Sequence, residues 1–573
     1  MSPKNTILPG TPRESVQARL PDGRIFEAPP GAPLAEIMRV ANGAAAPLVV
    51  AAIVNGKLSE LATPLKADAD VAPVTLADAD GMLIYRRSVV LLLVTAAAEV
   101  FPEAAIYVSH STYTGGYQCT VRGREPFTQA ELQKIEARMR EIVAEDAPFV
   151  KTQVPVSEAI EVFRGQGEDD KARLLAHRRK STLVLYTLRG RRDYLQGYMV
   201  PSTGYLRTFA LHALPPGFVL QFPHQGRPAE LPPLTPYPRL FAVYQEAGEW
   251  LDRLGIRSAG ALNDAIAAGR LPEISLVAEA LHEARLARIA ADIAARRGEI
   301  RVVLVAGPSA SGKTIFSKRL AVQLLAHGLR PFPLGLDDYF VAREQTPRGA
   351  SGQLDYETIH ALDVPLFNAQ LEALIAGQPV QLPHYNFITG CREPGATVTL
   401  GPNNILIVEG IHGLNPVLGP QLPPQSLYRV YVSAITQLNL DRHNRVSTTD
   451  SRLIRRIVRD AATRGYSAAD TLRRWELVKA GEKQYIFPFQ ENSDAMFNSA
   501  LVHELAVLRS LAVPLLLQVR PDMREYVEAN RLLSFLEWFR PAPADPIPDN
   551  SILREFIGGS ILENFHLWPT PLA

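Results

Sequence analysis

The run Gly307-Pro308-Ser309-Ala310-Ser311-Gly312-Lys313-Thr314 constrains this chain more than any other stretch. It fits G-x-x-x-x-G-K-[ST] at every position, and its flanks fit too. The apolar run Val302–Ala306 reads as a buried strand, and Ile315–His327 as a helix. The glycines let the backbone turn tightly, so its N–H groups point inward at phosphate oxygens. The positive end of the following helix adds to them. Lys313 is then placed to reach the β- and γ-phosphates of a nucleotide, and Thr314 to hold Mg²⁺. From residue 299 to 540 strands and helices alternate, which implies an α/β domain built on a doubly wound parallel sheet.

Three further stretches carry chemistry. Ile405–Gly410 (ILIVEG) reads as a buried strand ending in Glu409, a carboxylate placed for a phosphate-bound Mg²⁺. Leu334–Phe340 (LGLDDYF) ends in Asp337 and Asp338, either of which could accept the proton of an alcohol. In the segment beginning at Arg452 (RLIRRIVRDAATRG), Arg452, Arg455, Arg456 and Arg459 fall at helical spacings of three and four. One cationic face of that kind suits a lid that closes on phosphates.

Together these stretches resemble the phosphoribulokinase/uridine kinase family over about Arg301 to Arg520. The resemblance implies ATP and Mg²⁺, transfer of the γ-phosphoryl group to a hydroxyl, and a nucleoside 5′-OH as acceptor. It implies Asp337 as general base near the metal, with Thr314 and Glu409 also at Mg²⁺. Lys313, Arg456 and Arg459 would act on the transferred group. Gly307 through Thr314, with Arg464, would hold ATP. Asp355 (in LDYET) matches the acid that holds ribose hydroxyls, and Tyr385 (in PHYNF) an aromatic lining the nucleoside site. Arg392 follows in the same loop. A homo-oligomeric cytoplasmic enzyme is expected. The chain departs from the family at three points: Gly390 stands where uridine kinases carry a base-reading His, Asn386 replaces an Asp, and Phe340 replaces a Tyr.

A chain of 573 residues exceeds one ordinary core. Two α+β modules are expected at 16–87 and 88–227, a Pro-rich connector and helix at 228–298, the kinase-like domain at 299–540, and a tail at 541–573. Asp22-Gly23 reads as a hairpin turn, and Thr128 with Glu131 as a capping box. The first module (VNGKLSEL onward) resembles the TGS domain of threonyl-tRNA synthetase, and the second resembles that enzyme's editing domain. The arrangement, with SILREFIGGS near the C-terminus, looks like TGS-containing uridine kinase-like proteins. The synthetase's metal-type residues are replaced here by Arg87, Leu91, Leu195 and Met199, so neither zinc nor editing chemistry is expected.

Net charge is +1, which offers no bulk attraction for nucleic acid or membrane. Cys119 and Cys391 suit a reducing compartment. The first fifteen residues lack the apolar stretch of a signal peptide. Val89–Ala98 is too short for a membrane span and reads as a buried helix. The basic stretch Lys171–Arg192 is either an RNA-facing patch or a solvated loop. Two other functions therefore stay open: an RNA- or ribosome-associated ATPase read by the TGS half, and a kinase for another small alcohol such as a sugar phosphate.

Overall fold

The computed structural model describes residues 13–42, 48–112, 115–349 and 352–565. The first twelve residues, with most of the segment read for a leader, lie outside it. In the N-terminal module Val16–Arg19 and Ile25–Ala28 pair antiparallel. The turn between them needs Gly23, whose φ is +86°, and the Asp22 carboxylate accepts from the Arg24 amide at 3.0 Å. Ala69–Thr75 joins Val16–Arg19 in parallel and Val49–Val54 antiparallel, which completes a five-stranded mixed sheet under the helix Leu34–Asn42.

The expected boundary at 87/88 falls inside one helix, Ala79–Val100. Val50, Ala51 and Val74 of the first module pack with this helix into the core of the second, so the two modules share an element. Long and apolar enough to span a membrane, this helix is instead mostly buried against protein. The second module covers it with a four-stranded antiparallel sheet and the helix Gln129–Ala144. Thr128 and Glu131 form the capping box, each satisfying the other's free N–H. Leu91, Leu195 and Met199 are buried there, so apolar packing fills the positions that could have ligated zinc.

Three helices, Pro238–Leu254, Ala259–Ala267 and Leu271–Ala295, lead to a five-stranded parallel sheet. Its order is Arg330–Gly335, Asn404–Glu409, Val302–Ala306, Leu427–Ser433, Ala495–Asn498. Val302–Ala306 is buried along its whole length, because helices cover both faces of a central parallel strand. The chain leaves this strand at the point where strand order reverses, which opens a crevice at the strand C-termini.

The described part of the expected tail, 541–565, packs into the kinase-like domain. Ile552 and Leu562 belong to the core under the phosphate-loop helix, and the Glu555 carboxylate accepts from the Ile315 amide at 3.2 Å. The helix N-cap is Gly312, which has no side chain, so Glu555 supplies the missing acceptor.

The N-terminal half grips the loop 439–446, just before the helix Thr448–Thr463. Asn439 donates to the Val108 carbonyl at 3.0 Å, and the Gln196 amide donates to Asn444 at 2.8 Å. Arg442 pairs with Asp170 at 2.6 Å. Beneath them Glu168, Asp193 and His443 converge as metal ligands would, but the Lys171 ammonium lies among them. The basic stretch divides: Lys171 is enclosed, whereas Arg173, Arg179, Lys180 and Arg189 are exposed to solvent. Lys171 is fully buried, and Arg173, His177, Lys180, Arg189, Arg191 and Arg192 each face a carboxylate.

Candidate active site

Register places Gly335, Glu409 and Val305 in one row at the C-terminal edge of the sheet. Just beyond this row the phosphate loop, Glu409 and Asp337 come together. Close packing explains the loop's glycines: a Cβ on Gly307 would stand 1.9 Å from the Val432 carbonyl oxygen, and Gly312 has φ +86°. Ala310 holds a positive φ of 57° without being glycine. Lys313 is largely buried and rests 3.3 Å from the Pro308 carbonyl across the loop.

Thr314 Oγ1 lies 3.4 Å from both oxygens of Glu409. Protein crowding pushes the Glu409 carboxyl up to about 7; Lys313 draws it down, while Glu555 and Asp337 push it further up. A hydroxyl among carboxylates whose charges repel is an all-oxygen donor set, and it fits a hard cation such as Mg²⁺.

The structure separates the two aspartates of LDDYF. Asp338 accepts from the Tyr385 amide at 3.2 Å and lies 3.2 Å from His384, so it tethers the hairpin Val380–Asn386/Cys391–Val398. No described residue hydrogen-bonds to the Asp337 carboxylate. Asp337 is recessed in the crevice yet open to water. Desolvation raises its pKa, Lys313 lowers it, Asp338 raises it, and Arg464 lowers it.

The arginine helix is Thr448–Thr463, and its four arginines divide. Arg452 and Arg455 are fully buried struts, not lid residues. Arg452 joins Glu482 to the Ser309 carbonyl, and Arg455 joins Glu504 to Ser499 and the Ala310 carbonyl. Arg456 donates to Ser309 Oγ at 2.8 Å, which puts it on the phosphate loop. Arg456, Arg459 and Arg464 converge on the Asp460 carboxylate at 3.2, 2.9 and 3.8 Å.

Sequence reading missed four acids here. Asp460 gathers the lid arginines, and Glu482 accepts from the Ser309 amide at 3.0 Å. Glu555 caps the loop helix. Glu357 has a carboxyl pushed up to about 7, first by burial, with Arg456 pulling it down and Glu482 pushing it up. Asp460 lies within the arginine segment, Glu357 within LDYET and Glu555 within SILREFIGGS, but nothing local to Glu357, Glu482 or Glu555 announces the distant group each one meets.

The acceptor side is mixed. The Asp355 carboxylate accepts from the Glu357 amide at 3.0 Å, and Tyr385 is buried with its hydroxyl beside that of Tyr356. Arg392 pairs with Asp363 at 2.9 Å, so its charge is already engaged. Gly390 has φ +75°, and the Arg343 guanidinium fills the space beside it: a Cβ there would stand 2.6 Å from Arg343 Nε.

Residues 302–506 match the family described as Phosphoribulokinase / Uridine kinase. This segment is a domain of that family. The N-terminal half is similar to threonine–tRNA ligases. It is 36% identical to the one from Methylobacillus flagellatus over 34% of this chain and 30% of that protein. It is 35% identical to that of Burkholderia vietnamiensis over 34% of this chain and 31% of that protein. The chain thus spans about a third of the length of the curated relatives it matches. Among solved structures, a putative fructose transport system kinase from Silicibacter overlaps 37% of this chain and 98% of that chain at 18% identity and TM-score 0.26. A possible uridine kinase from Bacillus stearothermophilus overlaps 23% of this chain and 70% of that chain at 25% identity and TM-score 0.20.

Proposed function

We propose that this protein is an ATP-dependent kinase that transfers the γ-phosphoryl group to a hydroxyl of a small molecule, with a nucleoside 5′-OH as the acceptor. One observation carries the reading. Asp337, alone of the paired aspartates, is left without a hydrogen-bond partner, and the Lys313 charge of the phosphate loop is near enough to draw its pKa down against burial. A nucleotide switch needs no such carboxylate, whereas an alcohol acceptor does.

In this mechanism Gly307 through Thr314 cradle the phosphates of ATP. Asp337 orients the acceptor hydroxyl and takes its proton as the O–P bond to the γ-phosphorus forms and the bond to the departing ADP breaks. Lys313, Arg456, Arg459 and Arg464 hold the charge on the phosphoryl oxygens, the three arginines positioned by Asp460. Thr314 and Glu409, with Asp337 close by, would hold Mg²⁺, which would supply positive charge to offset the negative charge of the phosphates. Asp355 and Tyr385 line the acceptor side. Free cysteines at 119 and 391 suit a cytoplasmic enzyme.

A second acceptor class is favoured by Arg343. Its guanidinium occupies the space beside Gly390, where a base-reading imidazole is missing, and arginine suits a phosphate-bearing alcohol such as a sugar phosphate. The test is ADP release from ATP and Mg²⁺ with nucleosides, sugar phosphates and tRNA, using Lys313→Ala as the blank. Stimulation by one small alcohol, with its phosphorylated product, supports the proposal. Stimulation by tRNA alone overturns it.

A further inference from the structure

Three arginines meet where the second module touches the kinase-like domain. The Arg86 guanidinium lies 4.6 Å from the Phe222 ring centroid, and that of Arg445 lies 5.1 Å from the Tyr117 ring. The two rings pack edge to face at 4.8 Å, so both guanidinium groups sit on one aromatic floor. Arg87, next on the same helix, passes over Gly197: a Cβ there would stand 2.4 Å from an Arg87 nitrogen, and φ is +125°. Arg86 and Arg87 both also lie close to Tyr117.

No described carboxylate forms an ion pair with any of the three, although Asp80 lies near Arg87 and Asp450 near Arg445; Arg86 bonds to Tyr117, and the Nε atoms of Arg86 and Arg445 are buried without a partner. Other buried cations at this interface are matched. Lys171 meets Glu168 and Asp193, Arg442 meets Asp170, and Arg531 meets Asp450 and Glu528. Recessed like charges that repel one another call for an anion. The arginine fork matches the oxygens of phosphate.

We propose that Arg86, Arg87 and Arg445 form a second phosphate site, distinct from the phosphate loop, that takes the phosphate or diphosphate group of a small molecule. The recess of the three side chains between two domains favours a compact ligand over a nucleic-acid backbone. Arg445 stands just ahead of the lid helix at Thr448, so the ligand would bear on the lid.

The test is calorimetric titration of the full chain with inorganic pyrophosphate, the phosphate loop being filled with a non-hydrolysable ATP analogue and Mg²⁺. Wild type should bind pyrophosphate, and Arg86→Gln and Arg445→Gln should each bind it at least tenfold more weakly; Arg86→Lys should keep part of the affinity. Without ligand Arg86→Gln should melt no lower than wild type, because the repulsion between Arg86 and Arg445 is gone. Equal pyrophosphate affinity in wild type and both Gln variants would overturn the proposal, even if the analogue failed to bind the loop. So would capture by this site of a short single-stranded RNA that pyrophosphate does not displace. A lower melting point for Arg86→Gln with an unaltered response to pyrophosphate would mark the arginines as packing elements.

Discussion

Lys171→Met should release the grip of the N-terminal half on the loop that precedes the lid. The Lys171 ammonium is fully buried, 2.8 Å from Glu168, paired with Asp193 and 2.7 Å from His443 Nδ1. Burial lowers the Lys171 pKa, but Asp193 and then Glu168 more than reverse this, so the ammonium stays charged. Removing it leaves Asp193 with His443 and the Tyr194 amide, while Glu168 retains Arg191. Breaking a buried pair from one side costs about 3–5 kcal/mol, against about 0.2–1 for an exposed pair. Chemical unfolding followed by tryptophan fluorescence is a direct assay, because the Trp538 ring lies 5.3 Å from Tyr194 beside the cluster. The expected loss is about 3–5 kcal/mol for Lys171→Met. Adding Asp193→Asn should cost less than the sum of the two single changes, since the stranded charge goes with it. A loss of under about 1 kcal/mol for Lys171→Met, the level of a solvated pair, would refute the reasoning.

Three further outcomes are expected. Asp337→Asn should lower kcat by roughly 10²-fold or more at unchanged ATP affinity, the scale of a positioned base; a near-wild-type rate in ADP release would remove Asp337 from that role. Glu482→Gln should weaken ATP binding and lower stability by about 3–5 kcal/mol, because it leaves the Arg452 charge buried; unchanged ATP affinity and melting would contradict this. Stability should also fall as pH drops below about 6.5. Burial pushes His282 down to about 3, and His412 and His503 to about 4, so the unfolded chain takes up protons first. This stability is fully present above the unfolded pKa and is lost as pH falls from about 6.5 to about 4 for His412 and His503, and to about 3 for His282. Glu357 and Glu409, held up to about 7, act oppositely over part of that range but are fewer. Thermal melts that stay flat from pH 7.5 to 5 would show that these imidazoles do not govern the response.

Much of the phosphate-binding machinery was legible because it is local. A glycine-bearing loop between a wholly apolar strand and a helix needs no distant partner to declare its shape, and Gly307–Thr314 adopts it. The capping box at Thr128 and the turn at Gly23 are local in the same sense. The arginine helix shows where that legibility stops. Arg452, Arg455, Arg456 and Arg459 share one spacing, yet two are buried struts and two reach Asp460 near the phosphate loop. Helical period says which residues share a face, not which part of that face another element will cover.

The sequence by itself therefore determined the phosphate loop, the parallel α/β class of its domain and the loss of zinc ligands at Arg87, Leu91, Leu195 and Met199. Only the tertiary structure decided that Asp338 is tied to the hairpin while Asp337 is free. It alone brought Glu555 from the C-terminal segment onto the phosphate-loop helix and enclosed Lys171 among acids and a histidine from both halves. The reason is physical. Backbone geometry is set by neighbours along the chain, whereas the pairing of a buried charge depends on which distant carboxylate packing carries within reach.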